Sequence, residues 1–397
     1  MKCVVLVPDG AADYPQESLG GRTPLQAART PAMDRLAAEG RNGMVATIPP
    51  GRPAGSDIGN LEILGYDSLV DYTGRAPLEA ASMGVPLAKG ATAFRCNLIH
   101  RDGDTLVDYS AGHITTAEGQ ELIRLLAGRL ERDGVRLYPG VQYRHLLVLD
   151  DGPEQITTYP PHDIMGQSIA AHLPSGPGAA RVRELMEAAA PILAAAPVNR
   201  ARAAAGKLTA NAIWLWGSGR ALRLTPFAQR FTGRGGVISA VDLVRGIGVA
   251  AGMEIIEVPG ATGYLDTNYR GKADRALEAL ARLDLVYVHV EAPDEAAHNG
   301  DTSAKIQALE DFDRHVVAPI VAGLANWPQR RVLLVPDHRT PLQLRTHSAE
   351  PVPVVLWGTG VAPDAVQRFD ETAAAAGALT LARGRQLIEL LMSHTVA

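Results

Sequence analysis

Three short apolar segments, each typical of a buried strand, run towards an aspartate. In chain order they are Val4–Val7 before Asp9, Leu285–Val290 before Asp294, and Val332–Val335 before Asp337. Runs of four to six β-branched or large apolar residues, bounded by Pro, Gly or Asp, indicate strands buried on both faces. In a parallel sheet the carboxyl ends of the strands lie along one edge, where α/β proteins bind their ligands. The sequence therefore predicts three carboxylates at one edge of a parallel sheet.

Further apolar runs alternate with helical patterns along both ends of the chain. The other candidate strands are Asn211–Trp216, Met253–Val258 and Val352–Trp357, and the candidate helices are Thr30–Glu39, Ser239–Ala251, Lys272–Leu283 and Thr302–Ala325. Strands that alternate with helices predict an α/β fold, with a mostly parallel sheet flanked by helices on both faces.

The middle of the chain has a different pattern. Phe94–Ile99, Thr105–Tyr109 and Val141–Leu149 have interleaved polar residues, as partly exposed strands do, and helices are predicted at Thr116–Arg132 and Arg181–Leu193. We therefore predict a core domain made of residues 1–85 and 208–397. Residues 86–207 form a smaller α+β domain inserted into it.

Composition and charge exclude several classes of protein. With 38 Lys and Arg against 43 Asp and Glu among 397 residues, the chain has no basic excess for binding nucleic acid. Its two cysteines, Cys3 and Cys96, provide neither a disulfide framework nor a cysteine zinc site. No segment predicts a signal peptide or a membrane span, so we expect a cytoplasmic enzyme without a membrane partner.

Histidines lie close to two of the aspartates. His298 follows Asp294 by four residues, which places both on one face of a helical turn, while His338 adjoins Asp337 and His347 follows shortly after. Singly, such an aspartate is more often a helix cap or turn residue, and a single histidine is more often structural. Together, clustered carboxylates need a cation between them, and six oxygen and nitrogen donors suit a site for two zinc or manganese ions.

Ser56 is the candidate nucleophile. It follows Gly55 and precedes a helical pattern, so the positive end of the helix dipole would face any anion that it carries. The alternative is an ordinary serine N-cap. Beside two metal ions, the hydroxyl becomes a plausible nucleophile because metal coordination lowers its pKa.

These motifs recur across nearly the whole chain in one known family. They include Val7-Pro8-Asp9-Gly10, Gly55-Ser56-Asp57, Gly74-Arg75-Ala76-Pro77, Asp108-Tyr109-Ser110-Ala111-Gly112-His113, Glu291-Ala292-Pro293-Asp294, Pro336-Asp337-His338 and Arg345-Thr346-His347. In these motifs the chain resembles the archaeal-type cofactor-independent phosphoglycerate mutases of the alkaline phosphatase superfamily. The resemblance implies interconversion of 3- and 2-phosphoglycerate through a phosphoserine at Ser56, with no 2,3-bisphosphoglycerate, and an inserted domain that closes over the substrate.

The resemblance also implies two divalent ions, with Mn²⁺ favoured and Zn²⁺, Mg²⁺ or Co²⁺ as alternatives. Their ligands would be Asp9, Ser56, Asp337 and His338 for one ion, and Asp294, His298 and His347 for the other. Phosphoglycerate also needs cationic and proton-handling contacts. The candidates are Arg95, His162, Asp163, Arg220, Arg223 and Lys272. Arg220 and Arg223 follow the end of the Trp216-Gly217 strand, and their i, i+3 spacing would present two guanidiniums together. For each candidate, the alternative is a solvated surface charge.

The chain departs from the family pattern at three positions. Arg339 stands where a small residue or proline is usual, and its contact with phosphate is open. Asn60 and Glu62 replace other polar residues, and neither is expected to touch a predicted metal ligand.

Three hypotheses about the function remain. The first is the mutase that the resemblance implies. The second is a phosphatase or phosphotransferase with another small phosphorylated substrate, including a proposed homoserine kinase, although no Gly-x-x-x-x-Gly-Lys-Ser/Thr loop is present. The third is a catalytically silent scaffold, against which the complete ligand set argues. The sequence is compatible with a homo-oligomer and leaves the oligomeric state open.

Overall fold

The structure is a computed structural model and describes residues 1–393. The strands of this part of the chain are β1 (Lys2–Pro8), β2 (Arg41–Val45), β3 (Thr92–Asp102), β4 (Thr105–Asp108), β5 (Val135–Val141), β6 (Arg144–Leu149), β7 (Ala212–Gly219), β8 (Gly235–Ile238), β9 (Glu254–Ile255), β10 (Leu285–Val290), β11 (Arg330–Leu334), β12 (Val352–Gly358) and β13 (Leu379–Thr380). No helix within these residues combines the length and the apolar character needed to cross a membrane.

The helices are distributed along the whole described chain. They are α1 (Pro24–Ala27), α2 (Pro31–Glu39), α3 (Ser56–Ile63), α4 (Ser68–Asp71), α5 (Arg75–Ser82), α6 (Thr116–Leu130), α7 (Ala179–Ala194), α8 (Pro197–Ala204), α9 (Phe227–Arg230), α10 (Asp242–Ala250), α11 (Tyr269–Ala279), α12 (Ala292–His298), α13 (Thr302–Phe312), α14 (Ala318–Gly323), α15 (Glu371–Ala375) and α16 (Leu387–Met392). A π-helical turn, Asp313–Val317, joins α13 to α14.

The chain divides into two compact units. Among the described residues, the first comprises 1–72 and 223–393, and the second comprises 73–222. The predicted insertion, 86–207, lies inside the second unit, which also includes α5 and β7. β7 belongs there because it pairs antiparallel with β3 along most of its length. The sequence analysis placed this apolar strand, Asn211–Trp216, in the parallel sheet, and that assignment is wrong.

The first unit is built on an eight-stranded sheet with the order β13-β2-β12-β11-β1-β10-β8-β9. β1 lies between β11 and β10 and is parallel to both, whereas β12 runs antiparallel to its two neighbours. The mostly parallel α/β sheet that the sequence predicts is therefore present. Since β11, β1 and β10 are neighbours, their carboxyl ends meet at one edge of the sheet.

Alternate residues of these central strands face opposite sides of the sheet. Val4, Leu6, Val286 and Val288 pack in the same apolar core as residues of α2, α11 and α13. Tyr287 and His289 therefore lie on the other face of β10, where both are fully buried.

The second unit has its own antiparallel sheet, with the order β4-β3-β6-β5 and with β7 on β3. Its core contains apolar side chains of α6 and α7 packed with the strand residues. The predicted strand Val141–Leu149 is in fact the end of β5 and all of β6, separated by a turn at Gln142 and Tyr143.

Candidate metal centre

Three aspartates meet at the carboxyl edge of the central strands. Asp9 follows β1, Asp337 lies just beyond β11, and Asp294 lies in the first turn of α12, directly after β10. All three are at most 5% exposed. Burial raises the pKa of Asp9 well above its usual range, and the charges of Asp337 and Asp294 raise it further. This edge of the sheet concentrates negative charge that water does not screen.

Asp294 forms one half of the cluster with two histidines. The predicted helical turn is present as α12, and it brings His298 Nε2 to 3.2 Å from Asp294 Oδ2. His347 Nε2 lies 3.6 Å from Asp294 Oδ1 and 2.9 Å from His298 Nε2. Two ring nitrogens at this distance need a proton or a cation between them, because two lone pairs would repel. The three side chains offer one ligand atom each, all within 4.8 Å of one another.

The pKa values in this half reflect the same contacts. Burial alone would raise the pKa of Asp294, but hydrogen bonds from His298 and His347 outweigh it and hold the pKa well below its usual range. Burial would lower the pKa of His298, but its hydrogen bond to Asp294 and the Asp294 charge raise it to about 9. Without a metal ion, His298 supplies the positive charge that Asp294 needs.

Ser56 stands at the other half of the cluster, as the first residue of α3. Its Oγ lies 3.1 Å from His338 Nε2 and 3.4 Å from Asp9 Oδ2. His338 Nε2 in turn lies 3.4 Å from Asp9 Oδ1 and 3.6 Å from Asp337 Oδ2. The structure thus brings together all four residues that the sequence assigned to the first ion.

Two glycines allow this close packing. A Cβ at Gly59 of α3 would lie 2.3 Å from the carbonyl oxygen of Asp337, and one at Gly10 would lie 2.5 Å from Asp294 Oδ1. Gly10 also has a φ of 59°, a left-handed conformation that glycine adopts without strain. Side chains at these positions would push α3 and the Asp9 loop away from the aspartates.

A buried ion pair supports the loop that carries His338. Lys305 Nζ lies 2.8 Å from Asp13 Oδ2 and donates to the carbonyl oxygen of Thr340 at 2.9 Å, and both charged groups are inaccessible to solvent. Thr340 Oγ1 donates to Asp294 and lies 3.1 Å from His338 Nδ1. Lys305 therefore holds a residue that connects the two halves of the cluster.

Two residues that the sequence analysis did not predict contact the cluster. His289, on β10, has its Nε2 3.0 Å from Asp9 Oδ2. Asn60 donates to Asp337 Oδ2 at 2.7 Å and to the carbonyl oxygen of Ser56 at 2.8 Å. The expectation that Asn60 touches no predicted ligand is therefore wrong, because one turn of α3 separates it from Ser56. A histidine that interrupts an apolar strand just before its end was the available signal for His289.

Arg339 and Glu62, the other two departures from the family pattern, lie against other groups. The Arg339 guanidinium donates to the carbonyl oxygens of Pro351 and Asp13. Glu62 Oε1 accepts hydrogen bonds from the backbone N–H and hydroxyl of Ser68. Both side chains thus have structural partners outside the predicted ligand set.

Three candidate substrate contacts of the second unit lie near Trp216. Arg95 and His162 pack against its ring, and Asp163 lies beside His162. The Arg95 guanidinium stacks 4.1 Å from the Trp216 ring centre and pairs with Glu79 at 2.9 Å. The His162 ring packs edge-on against Trp216, with the ring centres 5.5 Å apart. Asp163 is exposed and lies 3.7 Å from His162 Nε2.

The remaining candidates have different surroundings. Arg220 and Arg223 belong to different units, and neither lies in a helix. Arg220 pairs with Glu154 at 3.3 Å, while Arg223 is exposed. Lys272 is fully buried in α11, donates to the carbonyl oxygen of His289 at 2.9 Å, and has its pKa lowered to about 8 by burial.

Comparison with known proteins identifies relatives over the full length. The sequence model described as 2,3-bisphosphoglycerate-independent phosphoglycerate mutase matches residues 37–199. The chain is 52% identical to the protein of that name from Methanothrix thermoacetophila, over 99% of this chain and 100% of the relative.

Two solved structures share the fold over nearly all of both chains. The PH0037 protein from Pyrococcus horikoshii aligns with a TM-score of 0.84 at 29% identity, covering 98% of this chain and 96% of its own. The cofactor-independent phosphoglycerate mutase from Thermoplasma acidophilum aligns with a TM-score of 0.68 at 28% identity, covering 99% of each chain.

Proposed function

The chain belongs to the family of 2,3-bisphosphoglycerate-independent phosphoglycerate mutases, which interconvert 3- and 2-phosphoglycerate, and we propose that it does so by phosphoryl transfer through Ser56. The observation that carries this mechanism is the position of Ser56 Oγ, 3.1 Å from His338 Nε2 at the amino end of α3. A serine hydroxyl there lies beside an imidazole that can hold a metal ion and at the positive end of a helix dipole for a bound anion.

The cluster has the donor chemistry of a site for two divalent ions. Asp9 Oδ1 is buried and has no hydrogen-bond partner among residues 1–393, although two other carboxylates lie close by. Carboxylate, imidazole and hydroxyl donors suit Mn²⁺ or Zn²⁺, and Mn²⁺ remains the preferred ion. The proposed ligands of one ion are Asp9, Ser56, Asp337 and His338, and those of the other are Asp294, His298 and His347.

The proposed reaction has two balanced steps. Ser56 Oγ loses its proton and attacks the phosphorus of 3-phosphoglycerate, so an Oγ–P bond forms while the bond from phosphorus to the 3-oxygen breaks. That oxygen takes up a proton, and the glycerate stays bound. The 2-hydroxyl then loses its proton and attacks the same phosphorus, so a bond from phosphorus to the 2-oxygen forms while the Oγ–P bond breaks, and Ser56 Oγ takes up a proton. When bound, the two ions neutralise charge on the phosphoryl oxygens and lower the pKa of the serine hydroxyl.

The protein's own groups position the reacting serine. His338 is held through its Nδ1 by Thr340 Oγ1, so its Nε2 stays directed at Ser56. Burial lowers the pKa of His338, which favours the neutral imidazole whose Nε2 can bind a metal ion. Arg95, His162, Asp163, Arg220 and Arg223 stay proposed substrate contacts, whereas the fully buried Lys272 donates to the backbone of His289 and supports β10.

A coupled assay with an inactive variant tests the function. Purified protein with added Mn²⁺ should convert 3- to 2-phosphoglycerate, and Ser56→Ala should reduce conversion to background because no covalent intermediate can form. Ser68→Ala is the matched control, since Ser68 is also buried and also begins a helix of the first unit. Release of free phosphate without isomerisation would instead identify a phosphatase, and conversion by Ser56→Ala would refute the proposed route.

A further inference from the structure

His289 is a buried histidine whose unpaired nitrogen faces the carboxylate cluster. The side chain is inaccessible to solvent, and Nδ1 lies 3.3 Å from the hydroxyl of Ser239. Nε2 lies 3.0 Å from Asp9 Oδ2 but is not aligned to form a hydrogen bond with it, or with any other group of residues 1–393. A buried polar atom without a hydrogen-bond partner is rare and requires an explanation.

The backbone fixes this arrangement. His289 pairs with Val7 in the parallel register of β10 and β1, and the backbone N–H of Asp9 donates to the carbonyl oxygen of Val290 at 2.9 Å. Lys272 Nζ donates to the carbonyl oxygen of His289 itself. The imidazole of His289 therefore projects from a central strand of the sheet, whereas His338 and His347 lie in the loop between β11 and β12.

The distances are those of ligands around one ion. Donors that each lie about 2.1 Å from an ion, at a right angle, are about 3.0 Å apart. The separation of His289 Nε2 and Asp9 Oδ2 matches this value. Asp337 completes the group, since one ligand atom from each of Asp9, His289 and Asp337 lies within 4.8 Å of the others.

We propose that His289 is a further metal ligand, which binds through Nε2 to an ion that Asp9 and Asp337 also hold. The inference rests on the metal centre proposed above. It adds a second imidazole to a half-site that otherwise has only His338, and so favours ions that accept nitrogen, such as Zn²⁺, Co²⁺ or Mn²⁺, over Mg²⁺.

Cadmium NMR distinguishes a ligand from a residue that only positions Asp9. The full chain, labelled with ¹⁵N-histidine, is freed of metal and loaded with ¹¹³Cd²⁺ alone. A direct bond produces a scalar coupling between ¹¹³Cd and the bound ring nitrogen, whereas a hydrogen bond to Asp9 does not.

Two variants make the assignment. His289→Gln keeps a side-chain N–H that can reach Asp9 but removes the imidazole. His145→Gln is the control, because His145 is also buried with an unpaired Nε2, and it lies on β6 of the second unit. We expect four coupled histidines in the wild type and in His145→Gln, three in His289→Gln, and cadmium binding at this half-site at least about 10-fold weaker in His289→Gln.

The outcomes separate this inference from the function on which it rests. Two protein-bound cadmium signals with coupling to only three histidines, unchanged in His289→Gln, would overturn the role of His289 and leave the metal centre intact. A wild-type protein with no cadmium signal coupled to histidine would overturn the metal centre, and the assignment of His289 with it.

Discussion

Replacing Asn60 by leucine should destabilise the first unit and weaken metal binding together. The Asn60 amide donates to Asp337 Oδ2 at 2.7 Å, and its Oδ1 accepts the Tyr287 hydroxyl at 2.5 Å. Leucine has a similar size but no polar atoms, so it leaves a buried hydroxyl and a buried carboxylate oxygen without these partners. At about 1–3 kcal/mol for each of these two groups, the metal-free protein should lose about 2–6 kcal/mol of unfolding free energy.

The same change should weaken metal affinity by about 10- to 100-fold, because partners that orient a metal ligand typically contribute that much. Urea unfolding of the metal-free protein and titration calorimetry with Mn²⁺ measure the two effects. Asn42→Leu is the control in the same unit, since Asn42 is also buried, and its amide donates to the carbonyl oxygen of Ala37 and to Asp364, neither of which is a candidate ligand. Tyr287→Phe is a milder variant, expected to cost about 1–2 kcal/mol. If Asn60→Leu and Asn42→Leu both bind Mn²⁺ as tightly as the wild type, the reasoning is refuted.

Three further predictions concern the buried charged groups and the buried cysteines. Removing the ions with a chelator should lower the melting temperature, because the clustered carboxylates then repel one another. An unchanged melting temperature in a protein shown to have held metal would contradict this. Lys305→Met should cost about 3–5 kcal/mol, since it leaves Asp13 charged and unpaired in the interior, and a loss under about 1 kcal/mol by urea unfolding would show that the pair is not needed. Burial raises the pKa of both Cys3 and Cys96 to about 12, so a thiol-specific disulfide reagent at pH 8 should label both only after denaturation, and rapid labelling of the native protein would contradict their burial.

Local patterns predict those parts of the molecule in which one strand or helix carries its own signal. β10 has the predicted bounds, Leu285–Val290, because a run of apolar residues with Tyr287 and His289 lies between polar turns, and this pattern predicts a buried strand. The turn from Asp294 to His298 is equally local, since i, i+4 spacing alone sets it. The convergence of three aspartates also follows from sequence, given parallel neighbouring strands.

Sequence patterns do not predict which strand or helix a given segment packs against. The apolar run that became β7 is compatible with either sheet, and only its antiparallel pairing with β3 decides between them. Met253–Val258 was expected to be a full strand, yet only Glu254–Ile255 pairs, as the edge strand β9. Asn60 illustrates the same point at the site, because its contact with Asp337 depends on how α3 packs against a loop 277 residues away.

Trapping the covalent intermediate tests the central claim most directly. The Mn²⁺-loaded protein is mixed with 3-phosphoglycerate carrying ³²P, stopped with acid within milliseconds, and digested for peptide mapping. Transfer through Ser56 predicts label on the peptide that contains Ser56, transient in time and absent from the Ser56→Ala variant. Formation of 2-phosphoglycerate with no label on that peptide at any time, or with label on another residue, would contradict it.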